Sequence, residues 1–418
     1  MPPSPWPTAP GCNRPTPRPR VNAGPPSNGA GGSGTDVGRA GANMGVAVKS
    51  KAAMLWSNED TKWTVEETEI DQPKGRELLV RNVAAGLCHS DEHFITGDFP
   101  LGGTPYIGGH EGAGIVEAVG PDVQGFQPGD HVVYSFVAAC GICPYCADGH
   151  SNLCDNGAAI MGGLMLDGTS RIHVKDQDAS VMAGLGTFSE HSVVHEWSAV
   201  KVLEDLPLDK LVLLGCGATT GWGSAVYAAD VRPGDNVAVV GVGGLGSAAV
   251  QGARLAGAER IFAIDPVEFK RETAQKFGAT HTANTVEEAF ELIQQETWGR
   301  MCNKVILTKG VGRGDEMAAV MAITSKLGRV VVTNIHPWDE VTTSIPMTDL
   351  TLSEKSVVGS LFGSANPRSD IPRLAELYRK GQLDLDGMIT RTYSLDQINE
   401  GYQDMRDGKN IRGVIVFD

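Results

Sequence analysis

NVAVVGVGGLGSAAVQGARLAGAERIFAIDP, residues 236–266, decides the fold. It opens on a short apolar run, Val237–Val240, and breaks at Gly241, Gly243 and Gly246, spaced G-x-G-x-x-G. A helix-length stretch of small and apolar residues follows, then a second apolar run, Ile261–Ile264, closed by Asp265. Strand, glycine turn, helix, strand and an acidic residue about 20 positions on form the layout of a dinucleotide-binding unit. Each glycine has its own task. Gly241 permits the tight turn, Gly243 lets backbone amides approach a pyrophosphate, and Gly246 allows close helix–strand packing. The whole turn, Gly241, Val242, Gly243, Gly244, Leu245 and Gly246, is therefore expected to face the cofactor, with the helix N-terminus lending partial positive charge to its phosphates. Asp265 would accept hydrogen bonds from the adenosine ribose and repel a 2′-phosphate, which favours NAD. Arg271 stands close enough in sequence to leave NADP open.

Downstream, KVILTK, AAVMAITSKLGRVVVTNI and SVVGSLFG continue the alternation of strand-like and helix-length segments. That alternation predicts an α/β fold with a doubly wound parallel sheet covered on both faces. Upstream the texture differs: KAAMLW, ELLVRNVAAG, GAGIVEAVG and DHVVYSF are short β segments punctuated by Gly and Pro. The expected division is a tail at 1–47, a mainly β catalytic domain at 48–217, a Rossmann domain at 218–362 and a return to the catalytic domain at 363–418. Within the tail, the first 43 residues are rich in Pro and then in Gly. They cannot bury enough apolar surface to offset ordering entropy and read as disordered, with Met44 as an alternative start. No apolar h-region of a signal peptide and no membrane-length apolar run is found, so a cytoplasmic location is expected. A formal charge of −15 argues against nucleic acid or an anionic membrane as partner.

Two groups of cysteines stand out. CGICPYCADGHSNLC, residues 140–154, spaces Cys140, Cys143, Cys146 and Cys154 as C-x2-C-x2-C-x7-C. Four thiolates from one loop suit a closed tetrahedral zinc site, which holds structure. An iron–sulfur cluster is the rival, although such runs are more compact and end in Cys-Pro. The second group is scattered: Cys88 in GLCHSDEH, His110 and Glu111 in GGHEGAG, Cys216 in LLGCGATTG. A Cys–His–Cys set leaves a zinc coordination position open for chemistry. Singly each residue reads more simply as core; their joint occurrence in glycine-flanked turns beside a dinucleotide fold favours the metal.

From Met54 onward the chain resembles the zinc-dependent medium-chain alcohol dehydrogenases. The resemblance is carried in order by GLCHSD, GGHEGAGIVEAVG, the four-cysteine lobe, GCGATTGWG, GVGGLG and GKNIRGVIVF. DPVEFKRE and KFGATH are similar to the bacterial subgroup that uses nitroso-dimethylaniline (NDMA) as artificial acceptor. Members of that subgroup are nicotinoproteins, which keep NAD(H) bound through turnover. The resemblance implies a GroES-like catalytic domain, zinc ligands Cys88, His110 and Cys216, and two zinc ions per chain. It further implies that Asp91 orients His110, that Glu111 lies near the metal, and that Ser90 takes the alcohol proton. His93 would pass that proton to solvent through the cofactor ribose. His89 stands where many relatives carry an arginine facing the pyrophosphate, and Thr220, Lys270 and Arg412 match cofactor contacts. The plainer reading of His89, Lys270 and Arg412, as exposed surface residues, is the lesser alternative.

The implied reaction is oxidation of a small-molecule alcohol to an aldehyde, and the reverse, with hydride passed to NAD. A homo-oligomer and an unidentified electron acceptor belong to the same expectation. Phe99, Phe136 and Phe188 match substrate-channel positions and suggest apolar alcohols, though each could be simple core. A thiol-dependent formaldehyde dehydrogenase on the same scaffold stays open; the stretch after Cys154, DNGAAIMGG, has no basic residue to grip a glutathione adduct. A non-catalytic NAD-binding sensor is the reading from another class.

Overall fold

The apolar runs around the glycine turn form the middle of an all-parallel sheet. In the computed structural model, which describes residues 47–160 and 162–418, this sheet has six strands. Their order is His281–Ala283, Arg260–Ile264, Asn236–Val240, Cys302–Leu307, Thr324–Val332, Ser356–Gly359. Numbered along the chain that is 3-2-1-4-5-6, the doubly wound order in which ligands bind where the direction of winding reverses. Both faces are buried: Val237, Val239, Ile261 and Ala263 point into one core, Ala238, Val240, Phe262 and Ile264 into another. The expected parallel sheet is thus borne out; the tail, read from the sequence as disordered, lies outside the described residues, save Ala47.

The remaining strands make two further sheets. One has six short strands around Val48–Leu55, which pairs antiparallel with Thr64–Ile70. The other has seven strands centred on Glu77–Gly86, flanked by Gly112–Val119, His191–His195 and Arg412–Val416. Arg412–Val416 comes from the far end of the chain and pairs antiparallel with the end of Glu77–Gly86, setting Val414 opposite Gly86. This return strand delivers Arg412 to the place where Glu77–Gly86 runs out and the helix His89–Thr96 begins.

One apolar cluster runs from Ala84, Ala113 and Val133 through Ala218 and Trp222 to Val237 and Val239. The helix Gly217–Gly223 lies in its middle, against Gly244–Leu255. Contact is close because Gly221 has no side chain: a Cβ there would sit 2.0 Å from the carbonyl oxygen of Leu245. Among the described residues no single helix is long and apolar enough to cross a membrane, and the apolar bent pair Leu208–Gly215 and Gly217–Ala228 contributes to this core.

A backbone carbonyl cannot rotate away as a side chain can. Gly221→Ala is therefore expected to cost about 1–3 kcal/mol, the range for overpacking. A thermal scan should show a lowered midpoint; an unchanged midpoint would mean that the two helices part freely.

Candidate active site

Cys88 follows the strand Glu77–Gly86 and is the N-cap of the helix His89–Thr96. His110 and Glu111 sit just before Gly112–Val119, and Cys216 lies between two helical turns. Their flanking glycines are required by space. A Cβ on Gly109, which has φ +90°, would lie within 2.7 Å of Thr187 and Phe188, and one on Gly86 would overlap Glu111. The result is convergence: one donor atom each from Cys88, His110, Glu111 and Cys216 lies within 4.8 Å of all the others, and all four residues are buried.

These atoms fit a cation. His110 Nε2 is buried and has no hydrogen-bond partner. On the other side of the ring, Nδ1 lies 3.0 Å from Asp91 Oδ2, while Asp91 Oδ1 accepts from the Gly109 amide at 2.7 Å. Asp91 thus fixes the ring so that Nε2 faces the sulfurs. The Cys88 thiol is held well below its ordinary range by its hydrogen bond with Cys216, with His110 and Arg412 adding to the effect. The same bond pushes Cys216 up. Burial pulls His110 down, but Asp91 and Cys88 outweigh it and hold the ring well above its usual value. Cys88, His110 and Cys216 would hold a divalent ion there, as thiolates and a neutral imidazole.

Glu111 does not stand alone. Its Oε2 accepts from Arg412 Nη2, and its Oε1 accepts from the Gly217 amide at 3.1 Å. Burial pushes its carboxyl up to about 7, and Arg412 opposes that rise. Arg412 also donates to the Leu87 carbonyl at 3.0 Å and is only 4% exposed, so it is no surface residue.

The metal-ligand cluster opens into a cavity of ≈ 800 Å³. It is also lined by Gly241, Gly243, Gly244 and Leu245 of the glycine turn, whereas Val242 and Gly246, expected to face the cofactor as well, do not line it. The three glycines of the motif differ in their surroundings. Gly241 has φ +87°; a Cβ on Gly246 would lie 2.0 Å from the Gly241 carbonyl; a Cβ on Gly243 would meet nothing within 4 Å. The second glycine is thus the one that leaves room, which fits a pyrophosphate approaching the backbone. Asp265 lines the cavity, and its carboxylate already accepts from the Val242 and Val267 amides at 3.0 and 2.9 Å. Arg271 donates to the Asp265 carbonyl at 2.7 Å and does not line the cavity. His89, Ser90, His93, Thr220, Lys270 and Arg412 do line it. Burial pulls the His89 ring down to about 4, so it is neutral at pH 7.

Of the three phenylalanines, Phe99 and Phe136 border the cavity; Phe136 meets His110 edge-on at 5.7 Å. Phe188 does not. It is fully buried in a separate core, edge-on to Trp63 at 5.4 Å, filling the space above Gly108 and Gly109. Sequence reasoning missed three neighbours: Phe362, which packs on Phe136; Asp98, which bonds His93; and Thr308, whose hydroxyl donates to the Gly241 carbonyl. Only Thr308 carried a readable signal, since it follows the strand at the winding reversal.

The second cysteine set forms its own group, with Cys140, Cys143, Cys146 and Cys154 gathered within 4.8 Å. The sulfurs of Cys140 and Cys146 are 4.0 Å apart, and those of Cys143 and Cys154 are 3.9 Å apart. That is far beyond a disulfide bond and close to the edge of about 3.8 Å in a tetrahedron with zinc–sulfur bonds of about 2.3 Å. Amides of Ile142, Cys143 and Cys146 donate to these sulfurs at 3.3–3.4 Å. They fit a closed four-sulfur metal site.

Removing one member of a buried ion pair strands the other. Arg412→Met should lower stability by about 3–5 kcal/mol, and adding Glu111→Gln should recover part of the loss. Urea unfolding of both variants at pH 8 checks this; a single variant as stable as wild type would show that Glu111 is not held as an anion.

Comparison with known proteins agrees with this geometry. Residues 74–204 match the family model for the alcohol dehydrogenase GroES-like domain, and residues 244–380 match that for zinc-binding dehydrogenases. The chain is 49% identical over 370 residues to alcohol dehydrogenase B of Mycobacterium tuberculosis, covering 88% of this chain and 98% of that one. It is equally similar, over 368 residues, to the NDMA-dependent alcohol dehydrogenase of Amycolatopsis methanolica, with 88% and 99% covered. Among solved structures, benzyl alcohol dehydrogenase from Acinetobacter calcoaceticus superposes with a TM-score of 0.82 at 29% identity, covering 89% of this chain and 100% of that one. The chain belongs to the zinc-dependent medium-chain alcohol dehydrogenases.

Proposed function

We propose that this chain oxidises a primary alcohol to the aldehyde, and reverses that reaction, in the cavity between the Cys88–His110–Cys216 cluster and the glycine turn. One observation carries the reading: a buried, unpartnered imidazole nitrogen converges with two sulfurs across a cavity from the turn that fits a dinucleotide. When bound, zinc supplies Lewis acidity that eases loss of the alcohol proton, and NAD supplies the carbon that accepts hydride. Cys88, His110 and Cys216 hold the first; Gly243, Asp265, Lys270, Thr220 and Arg412 hold the second. Asp91 keeps His110 oriented, and Glu111 keeps Arg412 in place beside Gly244. Ser90, 3.6 Å from Cys88 by its hydroxyl, is placed to take a proton at the metal-ligand end of the cavity. Phe94, Phe99, Phe136 and Phe362 make the wall apolar, which supports an alcohol with an apolar body.

The four-cysteine lobe holds a second zinc in this reading. The seven described cysteines are free of disulfides, which supports a reducing, cytoplasmic setting. The relationship to the NDMA-dependent enzyme supports the further reading that NAD(H) stays bound between turnovers and an external acceptor reoxidises it.

Purified without added cofactor, the protein should contain two zinc ions and bound nucleotide, and should reduce an artificial acceptor with alcohols. Activity only with free NAD would remove the tightly bound cofactor from the reading, and formaldehyde turnover only with an added thiol would favour the thiol-dependent alternative. His110→Ala should lose one zinc per chain and slow alcohol turnover by more than the ~100-fold upper figure for residues around a metal ligand. Near-wild-type turnover without that zinc would end the mechanism. Asp265→Ser should narrow the preference for NAD over NADP, measured as the ratio of their dissociation constants; an unchanged ratio would take that role from Asp265.

A further inference from the structure

His93 is placed differently from a group that hands protons directly to solvent. It is 1% exposed, sealed by the edge-on ring of Phe99 at 5.7 Å, which in turn meets Trp338 at 6.0 Å. Its Nδ1 lies 2.8 Å from Asp98 Oδ2; its Nε2 is buried without a partner, and the residue lines the cavity. The Asp98 side chain is 23% exposed and takes a second hydrogen bond from Thr96 Oγ1 at 2.7 Å. A carboxylate can only accept, so the hydrogen of the neutral ring sits on Nδ1 and the lone pair on Nε2.

We propose that Asp98 is a positioning residue for proton transfer: it fixes the His93 tautomer so that Nε2 is the free base of the cavity, and it offsets the charge when that nitrogen gains a proton. The inference rests on the proposed role of His93 in alcohol oxidation. In the step itself an O–H bond on the alcohol side of the cavity breaks, its electron pair staying on oxygen, one N–H bond forms at Nε2, and the ring's new positive charge faces the carboxylate. The His93 hydrogen bond first, then Thr96, hold the Asp98 carboxyl below its usual range against the opposing pull of burial, with Arg313 adding from the Rossmann side. Asp98 is therefore an anion throughout the neutral range. Nearby, His89 precedes His93 on the same helix, and the Trp338 amide donates to the Asp98 carbonyl at 3.4 Å. An amide in place of the Asp98 carboxylate keeps the shape without the charge, which makes the residue's contribution separable from packing.

The test compares Asp98→Asn, Asp98→Glu, His93→Ala and the double variant Asp98→Asn/His93→Ala, each loaded with zinc and NAD. The readout is the single-turnover rate of alcohol-dependent NADH formation. Asp98→Asn should slow this step about tenfold, a fraction of the 10²–10⁴ that a general base contributes, with KM and zinc content within about twofold of wild type. Asp98→Glu should recover part of the rate, and the double variant should be no slower than His93→Ala alone, the signature of one residue acting through the other. Nitrogen-15 NMR of the substrate-free protein should show the His93 hydrogen on Nδ1, and Asp98→Ala should abolish that bias. A wild-type rate for Asp98→Asn beside a slow His93→Ala, or losses that multiply in the double variant, would overturn the inference. A wild-type rate for His93→Ala would sink the proton role of His93 itself, and this inference with it.

Discussion

The site is organised by a buried ion pair between residues 301 positions apart, Glu111 and Arg412. Two charges taken out of water cost several kcal/mol each unless further hydrogen bonds complete them. Here they are completed: the Gly217 amide serves Glu111, and the Leu87 carbonyl serves Arg412. The pair thereby ties four segments together: the end of the strand Glu77–Gly86, the turn before Gly112–Val119, the start of the helix Gly217–Gly223, and the return strand Arg412–Val416. Its space is reserved by glycines. A Cβ on Gly86, Gly217 or Gly244 would overlap Glu111 or Arg412, at 2.2, 2.0 and 2.1 Å. Gly244 begins the helix after the glycine turn, so the side chain that anchors the ligand cluster also packs, through its methylene stem, beside that turn. Both walls of the cavity are held in register by one side chain.

The two cysteine sets, each able to hold a metal ion, differ in how their surroundings satisfy them. In the lobe, sulfurs come from neighbouring positions on one loop and receive backbone amides, so local chain geometry satisfies them. Cys140 shows the effect: burial pushes its thiol up, but amides from Ile142 and Cys143 outweigh burial and hold it at about 6. In the cleft, the ligands come from three distant segments and are satisfied by charge: Asp91 behind His110, and Arg412 within reach of Cys88. A local set closes on itself, whereas a set assembled from distant segments can keep one side facing a cavity. That difference, more than ligand identity, separates a structural site from one suited to chemistry.

What could be read from the sequence follows the same division. Local patterns were legible because their physics is local. The spacing of GVGGLG, the apolar runs beside it and the C-x2-C-x2-C-x7-C loop each encode a shape within about 30 residues of chain. The parallel sheet and the four-cysteine lobe follow from them, whereas the grouping of Cys88, His110 and Cys216, spread over three distant segments, rested on their joint occurrence and on the family resemblance. Tertiary facts were not legible. Nothing in GGHEGAG tells that Glu111 meets Arg412, and Phe188 looks no different in sequence from Phe99 or Phe136. Only the packing of Trp63 and Tyr402 around Phe188 makes it core. Asp98 escaped for a subtler reason: it lies just beyond Gly97, the left-handed cap of the helix that carries His93, and the turn folds it back onto the ring. A residue beside a cap reads as punctuation until its direction is known.

Net charge illustrates the limit of composition as an argument. A formal charge of −15 weighs against long polyanions, because affinity for them rests on many cationic contacts spread over a surface. A dinucleotide asks for much less. It needs a helix N-terminus, a few backbone amides and one or two cations inside a low-dielectric cleft, where each interaction is stronger than at the surface. The cavity offers these in Gly243, Gly244, Leu245 and Lys270, while Arg412, which also lines it, is paired with Glu111. Two other cations at its edge are offset by neighbours: Lys309 by Glu316, and Arg313 by Glu340 at 3.7 Å. A strongly acidic chain and a site for an anionic cofactor coexist because the relevant potential is set within a few ångströms of the cleft wall, while the total charge governs what the outer surface repels.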